Sequence, residues 1–404
     1  MGYNHGMKIG VLSYRFDYYP YRRNILYKLP DAEYFPVIDL YSNLRRAALF
    51  ANRHLSQELF PTFDLNNQFD DFELNKVDIL HFSNGVSYGR TPWVSHFETL
   101  LPRFSSALNR YQGKTKLPLE MTPLLQRGFN ALKSPSCKRI IAMSQAAAGF
   151  EQDLLTELPF EDRQVILNKM IVLHPPQDLL VEQPVEHQHD SSQPIRFCLV
   201  GDGLFRKGGK EIFLAFENLI RKEQALIKLV LVSSIRLDSY AAQETEEDRN
   251  WALRFIEENY DWIEHYQNIP HIQVLELMKG CEVGLLPTYA DSYGFSVLEA
   301  QACGLPVIST DVRALPEINN TDVGWIIHVP KNEFGEAIYH SPEDRQLLSQ
   351  QIQFGLETIV RNIVADPSVI YTKALKSLAR IREKHDPANY AQRLREIYQE
   401  AIEG

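Results

Sequence analysis

The chain has 404 residues, 44% of them hydrophobic and 23% charged, which suits two α/β domains of ordinary globular composition. The sequence contains no apolar run of about 18 residues and no charged-then-apolar leader, so we expect a cytoplasmic protein. Residues 1–176 carry 20 Lys and Arg against 17 Asp and Glu, whereas the remainder carries 22 against 35. The acidic second half excludes a nucleic-acid partner, which requires a basic face.

Arginines are frequent in the mildly basic first half, at Arg22, Arg23, Arg45, Arg46 and Arg53. They could face a membrane surface or a phosphorylated acceptor, or they could form a solvated surface. The sequence alone leaves these three interpretations open.

Four cysteines are scattered along the chain, at Cys137, Cys198, Cys281 and Cys303. Their spacing fits neither a disulfide framework nor a zinc site, and three of them lie within apolar runs. We therefore predict buried free thiols and no metal site.

Short apolar runs alternate with longer helical stretches, a pattern typical of parallel sheets with crossover helices. The predicted strands cover residues 8–12, 77–82, 139–143, 170–173, 196–200, 227–232, 283–286, 307–308 and 325–329. Residues 175–194 are rich in Pro, Gln, His and Ser and have no periodicity, which indicates a linker. Two doubly wound domains would face each other across a cleft, at the carboxyl ends of their strands.

The predicted domain limits follow from this pattern. An N-terminal domain covers residues 1–176, a linker 177–194, and a C-terminal domain 195–370. Helices over 371–404 are expected to pack back on the N-terminal domain. Apolar faces at helical spacing occur on two segments, Ile212, Phe213, Ala215, Phe216, Leu219 and Ile220, and Tyr390, Leu394, Ile397, Tyr398 and Ala401. The charged stretch 236–260 is predicted to be an exposed insertion.

The most informative segment is 286–317, LPTYADSYGFSVLEAQACGLPVISTDVRALPE. A strand ends, a loop follows, and Gly294 opens a helix over about 296–303 that Gly304 closes. The helix start offers backbone N–H groups and a positive dipole end to an anion, from Gly294, Phe295, Ser296 and Val297. Glu299 could accept hydrogen bonds from the two hydroxyls of a ribose, or it could only complement the helix dipole.

This segment closely resembles the E-x7-E signature of retaining glycosyltransferases with the GT-B fold, those of group 1 or family 4. Glu299 matches the second Glu, which in that family holds the ribose hydroxyls. Asp291 lies eight residues earlier, where the first Glu contacts hydroxyls of the donor sugar. The resemblance therefore implies a donor site here, with a side chain one methylene shorter at Asp291.

A second segment, 197–210, reads FCLVGDGLFRKGGK, and its Arg206 and Lys207 could neutralise a diphosphate leaving group. A G-x-G that ends at Gly203 suggests a dinucleotide fingerprint, but Arg206 occupies the place of the third glycine. The loop instead resembles the G-R-x-x-x-x-K-G loop of the same family. Lys207 and the glycine after it match, whereas Asp202 stands at the Arg position, so we expect Arg206 to substitute for it.

The N-terminal half matches the family more loosely. Residues 78–82 and 92–103 resemble the paired strand ends that line the acceptor side, and His96 lies about where the family has a histidine near the donor sugar. The alternative is a structural histidine. Ser144 follows a strand and is expected to cap the next helix.

The resemblance implies transfer of a sugar from a nucleoside-diphosphate sugar, with retention at the anomeric carbon, no metal and no further cofactor. Base recognition would use backbone along 263–270, and the acceptor stays unidentified. Three rivals remain: a GT-B epimerase, a glycosyl phosphorylase, and a degenerate protein that binds sugar nucleotide without catalysis. The departures at Asp202 and Asp291 favour the last.

Overall fold

A computed structural model describes residues 6–55, 61–184, 192–238 and 240–403. The chain forms two compact units: Met1–Pro176 with Pro387–Gly404, and Gln177–Asp386. We call them the first and the second unit. Residues 185–191 of the predicted linker lie outside the described residues.

The first unit is built on a six-stranded parallel sheet, with a short two-stranded pair beside it. The strands are β1 (Lys8–Leu12), β2 (Glu33–Val37), β3 (Gln68–Phe69), β4 (Ile79–Ser83), β5 (Val86–Ser87), β6 (Trp93–Phe97), β7 (Cys137–Ala142) and β8 (Met170–Val172). The helices are α1 (Tyr19–Asn24), α2 (Leu40–Leu55), α3 (Ser105–Asn109), α4 (Pro123–Lys133), α5 (Gln145–Leu154) and α6 (Phe160–Leu167). The order of the large sheet is β2-β1-β4-β6-β7-β8, and β3 pairs with β5. As predicted, the Ser144 hydroxyl caps α5 by accepting from the Ala147 backbone N–H.

The second unit contains a six-stranded parallel sheet in the order β11-β10-β9-β12-β13-β14. Its strands are β9 (Ile195–Val200), β10 (Ile227–Val232), β11 (Ile263–Tyr266), β12 (Val283–Leu286), β13 (Val307–Thr310) and β14 (Trp325–Ile327). Its helices are α7 (Gly209–Glu223), α8 (Glu246–Glu258), α9 (His271–Lys279), α10 (Phe295–Ala302), α11 (Leu315–Ile318), α12 (Pro342–Ala365) and α13 (Ser368–Lys384). The strand order reverses between β9 and β12, and such a reversal is where open α/β sheets bind ligands.

The C-terminal helices are divided between the units. Helix α13 belongs to the second unit, whereas the last helix, α14 (Pro387–Glu403), belongs to the first. The sequence had grouped 371–404 together. The apolar face predicted for α14 is buried in the first unit's core with Ile9, Val11 and Ile79. The face predicted for α7 is likewise buried, apart from the half-buried Ile220.

The interpretation of residues 236–260 as an exposed insertion is wrong. Residues 246–258 form α8, whose capping box joins Thr245 and Asp248. Ala252, Phe255 and Ile256 bury one face of this helix, and the Phe255 ring stacks on Phe213 with centroids 5.1 Å apart. The acidic residues Glu246, Glu247, Glu257 and Glu258 lie on the exposed side of this helix.

The four cysteines are buried and free, as the sequence predicted. Burial raises the pKa of the Cys137 thiol to about 12, so this side chain stays a neutral apolar packing group at physiological pH.

Candidate active site

Two loops meet at the carboxyl ends of β9 and β12, which are neighbours in the second sheet. The backbone oxygen of Arg206, in the β9 loop, accepts hydrogen bonds from the Tyr289 N–H at 2.8 Å and the Thr288 hydroxyl at 2.9 Å, both in the β12 loop. Parallel pairing brings the ends of adjacent strands to the same edge of the sheet. The two sequence motifs are therefore joined into one site at the reversal of the strand order.

Lys207 and Asp291 form the charged centre of this site. The Lys207 Nζ lies 3.4 Å from Asp291 Oδ2, and the side chains are 11% and 16% exposed. Asp291 Oδ1 accepts from the backbone N–H groups of Tyr293 at 3.2 Å and Gly294 at 2.9 Å. Burial alone would raise the pKa of the Asp291 carboxyl, but the positive charges of Lys207 and Arg206 and these hydrogen bonds hold the pKa below its usual value.

Arg206 is held beside this pair by two hydrogen bonds. Its Nε donates to Asp238 Oδ2 at 2.7 Å, and its Nη1 donates to the Ala290 backbone oxygen at 2.7 Å. Gly203 is required for this arrangement, because its φ is +73° and a Cβ there would lie 2.6 Å from Asp238 Oδ2. Arg206 and Lys207 thus present two cations at one loop, as the sequence predicted.

Helix α10 begins beside Asp291. Gly294, with φ of +95°, precedes it, and a Cβ at this position would lie 2.5 Å from Leu315 Cδ2. Only glycine fits such a left-handed position against a packed side chain. The first turn contains Phe295, the half-buried Ser296 and the buried Val297. Its aligned peptide dipoles favour an anion at the same edge of the sheet as Lys207.

Glu299 is buried in α10, and its Oε1 lies 3.2 Å from the Nε2 of His271. His271 is the first residue of α9, and its side chain is 59% exposed. This histidine was not predicted from the sequence, although it follows the 263–270 stretch directly. The pair places a carboxylate and an imidazole where the hydroxyls of a sugar or a ribose could be bound.

Asp202 is directed to the end of β10. Its Oδ1 accepts from the Ser234 hydroxyl at 2.5 Å and from the Ser234 N–H at 3.1 Å, and Arg236 lies 3.9 Å from its Oδ2. Burial would raise the pKa of Asp202, but the Ser234 hydrogen bonds, followed by Arg236 and Lys207, lower it below the ordinary value. The carboxylate ties the β9 loop to the β10 loop.

His96 lies in a buried chain of polar rings in the first unit. Tyr398 Oη is 2.5 Å from His81 Nδ1, His81 Nε2 is 2.6 Å from His96 Nδ1, and His96 Nε2 is 2.9 Å from Tyr390 Oη. The Tyr390 hydroxyl donates to the Asn24 backbone oxygen at 2.8 Å. The chain joins helix α14 to strands β4 and β6.

The Tyr390 hydroxyl, at one end of this series of hydrogen bonds, fixes the direction of all of them. Because Tyr390 gives its single proton to Asn24, its oxygen accepts from His96 Nε2–H. His96 Nδ1 then accepts from His81 Nε2–H, and His81 Nδ1 accepts from Tyr398. Each imidazole carries one proton, and burial lowers the pKa of His96 to about 3. Both nitrogens of His96 have partners within the protein, which favours the structural alternative, and its catalytic role stays a prediction.

A comparison with known protein families gives a match in the second unit. Residues 182–357 match the family described as Glycosyl transferases group 1. A D-inositol 3-phosphate glycosyltransferase from Paenarthrobacter aurescens (strain TC1) is 27% identical over 157 residues, which cover 37% of this chain and 36% of that relative. The chain therefore aligns with little more than a third of that curated relative's length.

Two solved structures share the fold of nearly the whole chain. A glycosyltransferase from Rickettsia africae ESF-5 has a TM-score of 0.55 at 14% identity, covering 99% of each chain. Anabaena HepE in complex with UDP-glucose has a TM-score of 0.53 at 16% identity, covering 96% of this chain and 98% of that one. The fold is GT-B, with two Rossmann-like parallel-sheet domains. The segment that matches glycosyl transferases group 1, residues 182–357, lies within the second unit.

The described residues have neither a membrane-spanning helix nor a metal-binding cluster of side chains. Among them, no helix has the length and apolar character needed to cross a membrane. The same residues contain no group of three or more His, Cys, Asp or Glu side chains arranged to hold a metal ion.

Proposed function

We propose that this chain transfers a sugar from a nucleoside-diphosphate sugar to an acceptor, with retention at the anomeric carbon and without a metal. The observation that carries this proposal is the convergence of Arg206, Lys207 and the start of α10 at one edge of the second sheet. The structural neighbour HepE, whose fold the chain shares, was solved with UDP-glucose bound.

The chemical task is the departure of a nucleoside diphosphate, which leaves an oxocarbenium-like sugar and a growing negative charge on the leaving group. Lys207 and Arg206 would stabilise that charge together with the peptide dipoles of α10. These cations are already held in place by Asp291, Asp238 and Ala290, so little reorganisation is needed on binding. They take the charge-neutralising part that a metal ion has in other transferases.

The ribose would be bound by Glu299. A buried carboxylate can accept hydrogen bonds from two vicinal hydroxyls, and His271 would hold the Oε1 of Glu299 in position. The adjacent stretch of β11 and the loop after it would then contact the base.

Asp291 would act on the transferred sugar, although both of its oxygens already have partners within the protein. A donor hydroxyl could share Oδ2 with Lys207. Asp291 would therefore have two roles: it holds Lys207 and the start of α10, and it contacts the sugar.

A panel of nucleoside diphosphates in a thermal-shift assay tests the donor site, because a ligand that binds only the native state raises the melting temperature. We expect at least one base to stabilise the chain, and the matching sugar nucleotide to be slowly hydrolysed without acceptor, in excess chelator as without it. Loss of this turnover in chelator, restored by Mn²⁺ or Mg²⁺, would contradict the metal-free proposal.

A second candidate is a protein that binds sugar nucleotide without catalysis. The occupied oxygens of Asp291 and the bonding of Asp202 to Ser234 favour it. Nucleoside-diphosphate binding with no hydrolysis of the matching sugar nucleotide, and no transfer to any acceptor in a broad panel, would support this candidate over the first.

We also propose that the protein works in the cytoplasm and contacts the inner face of a membrane through α2. Leu44, Leu49 and Phe50 are exposed on this helix, together with Arg46 and Arg53. Exposed apolar and cationic side chains on one helix suit an anionic lipid surface. Sedimentation with vesicles that contain anionic phospholipid should carry down the protein, and Phe50→Asp should reduce the bound fraction. Equal sedimentation of both proteins would contradict this contact.

A further inference from the structure

A cavity of about 290 Å³ lies in the second unit, outside the site described above. Helices α7, α8 and α12 and the segment before α8 form its walls, and Phe205 and Tyr289 contribute to its lining. Neither Arg206, Lys207, Asp291 nor Glu299 lines it. Its size is near the lower end of the range of small-molecule sites, roughly 300–1,000 Å³.

Glu211 is the most informative residue of this cavity. It is 2% exposed, and its Oε1 accepts from the Tyr289 hydroxyl at 2.8 Å and the Ser349 hydroxyl at 2.6 Å. Its Oε2 is buried and has no hydrogen-bond partner within the described ranges. Buried polar atoms are nearly always hydrogen-bonded, so an oxygen left over in a cavity wall points to a bound ligand or water.

The charges of the wall select the class of ligand. Three acidic residues (Glu211, Glu244, Asp248) and two basic ones (Lys210, Arg345) line the cavity. Both cations are already engaged: the Lys210 ammonium lies 5.7 Å from the centroid of the Trp251 ring, and Arg345 Nη1 donates to the Tyr339 backbone oxygen at 3.0 Å. A ligand with a net negative charge would be repelled by the carboxylates, and a small cation would be repelled by Lys210 and Arg345.

A neutral ligand with many hydroxyls fits this wall best. Each hydroxyl both donates and accepts, which matches the carboxylates, amides and hydroxyls of this wall, and the flat rings of Phe205 and Tyr289 can cover the apolar face of a pyranose. The amides come from Gln346 and Gln350, and a further hydroxyl from Ser349. We propose that this cavity is a second binding site, for a neutral mono- or disaccharide. The proposal stands apart from the donor site, since it needs neither Lys207 nor Glu299.

Calorimetric titration of the full chain with neutral hexoses, N-acetylhexosamines and disaccharides tests this site. We expect saturable binding of at least one of them, weakened roughly tenfold or more in Glu211→Gln and in Gln350→Leu. The matched controls are Glu217→Gln, on the same helix as Glu211, and Gln351→Leu, the next residue of α12. Neither control residue lines the cavity, so both variants should bind as the unmodified protein does. Gln350 is exposed, so its variant is expected to fold even where Glu211→Gln does not.

Comparison with Lys207→Ala separates this site from the donor site. We expect sugar binding to persist in that variant, even where nucleoside-diphosphate binding is lost. Three results would overturn the proposal: no saturable binding of any neutral sugar, equal binding in Gln350→Leu and Gln351→Leu, or tighter binding of phosphorylated or amino sugars than of the neutral ones. Failure of nucleoside-diphosphate binding in the unmodified protein would leave the sugar site unaffected and would count against the proposed donor site alone.

Discussion

The two units each contain a cluster of polar side chains that the sequence marks as a candidate for catalysis, and the clusters differ in kind. In the second unit, Lys207 and Asp291 stand on loops beyond the strand ends, charged and partly exposed. In the first, His81 and His96 point from strand interiors into the core, where both are neutral and every proton has a partner. A charged pair at a loop can exchange its partner for a ligand, whereas a closed chain of buried hydrogen bonds cannot without loss of stability.

Replacement of Lys207 should have the largest effect in the second unit. We expect Lys207→Ala to weaken nucleoside-diphosphate binding and slow turnover by roughly ten- to a hundred-fold, since a hydrogen bond to a charged group contributes about 1.5–3 kcal/mol. Arg206→Ala should act in the same direction. Binding by calorimetry and turnover with the matching donor measure both effects.

The control is Lys222→Ala, in the last turn of α7 and away from the loop. It should leave binding and turnover unchanged. If Lys207→Ala behaves like this control, the proposed diphosphate site is wrong.

The corresponding change in the first unit is His96→Phe, which should act on stability instead. It removes the acceptor of His81 and the donor to Tyr390, and a buried group left without its partner costs about 1–3 kcal/mol. In a domain of this size each kcal/mol lowers the melting temperature by about 2–4 °C. The affinity for nucleoside diphosphate should not change.

His54→Phe is the matched variant, because His54 is exposed on α2 and surface substitutions have small effects. A His96→Phe protein as stable as His54→Phe, with turnover lost, would restore the catalytic role predicted from the sequence.

Two carboxylates of the second unit have different predicted roles in the proposed donor site. Glu299→Gln keeps the shape but loses the ionic acceptor, so nucleoside diphosphate and full donor should both bind more weakly, by several-fold. Asp291→Asn should lower the rate with full donor more than the affinity for nucleoside diphosphate, because the sugar loses its ionic partner whereas Lys207 and the start of α10 lose only part of their contact with this side chain. Titration of both variants with both ligands separates the two roles.

Restoring the family residue adds a test of the same position. If the shorter Asp291 is adapted to this protein's donor, Asp291→Glu should lose activity on it, since a longer side chain would displace Lys207 or the start of α10. Equal losses on nucleoside diphosphate and on full donor at position 291 would contradict the assignment to the sugar.

Sequence patterns predicted most of the central strands, because a strand buried on both faces is a continuous apolar run. They missed the edge strands β2 and β11, whose residues are half exposed and include Glu33 and Glu264. Lys207, Gly294 and Glu299 were found because each lies in a contiguous motif. His271 and Asp238 were missed because they reach the site from other segments, α9 and the loop after β10, and only the folded sheet brings them to Glu299 and Arg206.

The smallest effect we expect concerns pH and a buried carboxyl of the first unit. Glu151 is buried in α5, its Oε2 accepts from the Leu101 N–H at 2.7 Å, and burial raises its pKa to about 8. The unfolded chain loses this proton near pH 4.5, so the contribution of Glu151 to stability is full below that value and is lost as the pH rises to about 8. For His96 the sign is opposite: its pKa is lowered to about 3, so that contribution is present above pH 6.5 and is lost as the pH falls.

Glu151→Gln keeps the shape and removes the titration. Its melting temperature should therefore fall less than that of the unmodified protein between pH 5 and 9, while the fall on the acid side, to which His96 contributes in both proteins, stays unchanged. If the melting temperatures of the two proteins fall equally between pH 5 and 9, Glu151 titrates normally and the core of the first unit tolerates its charge.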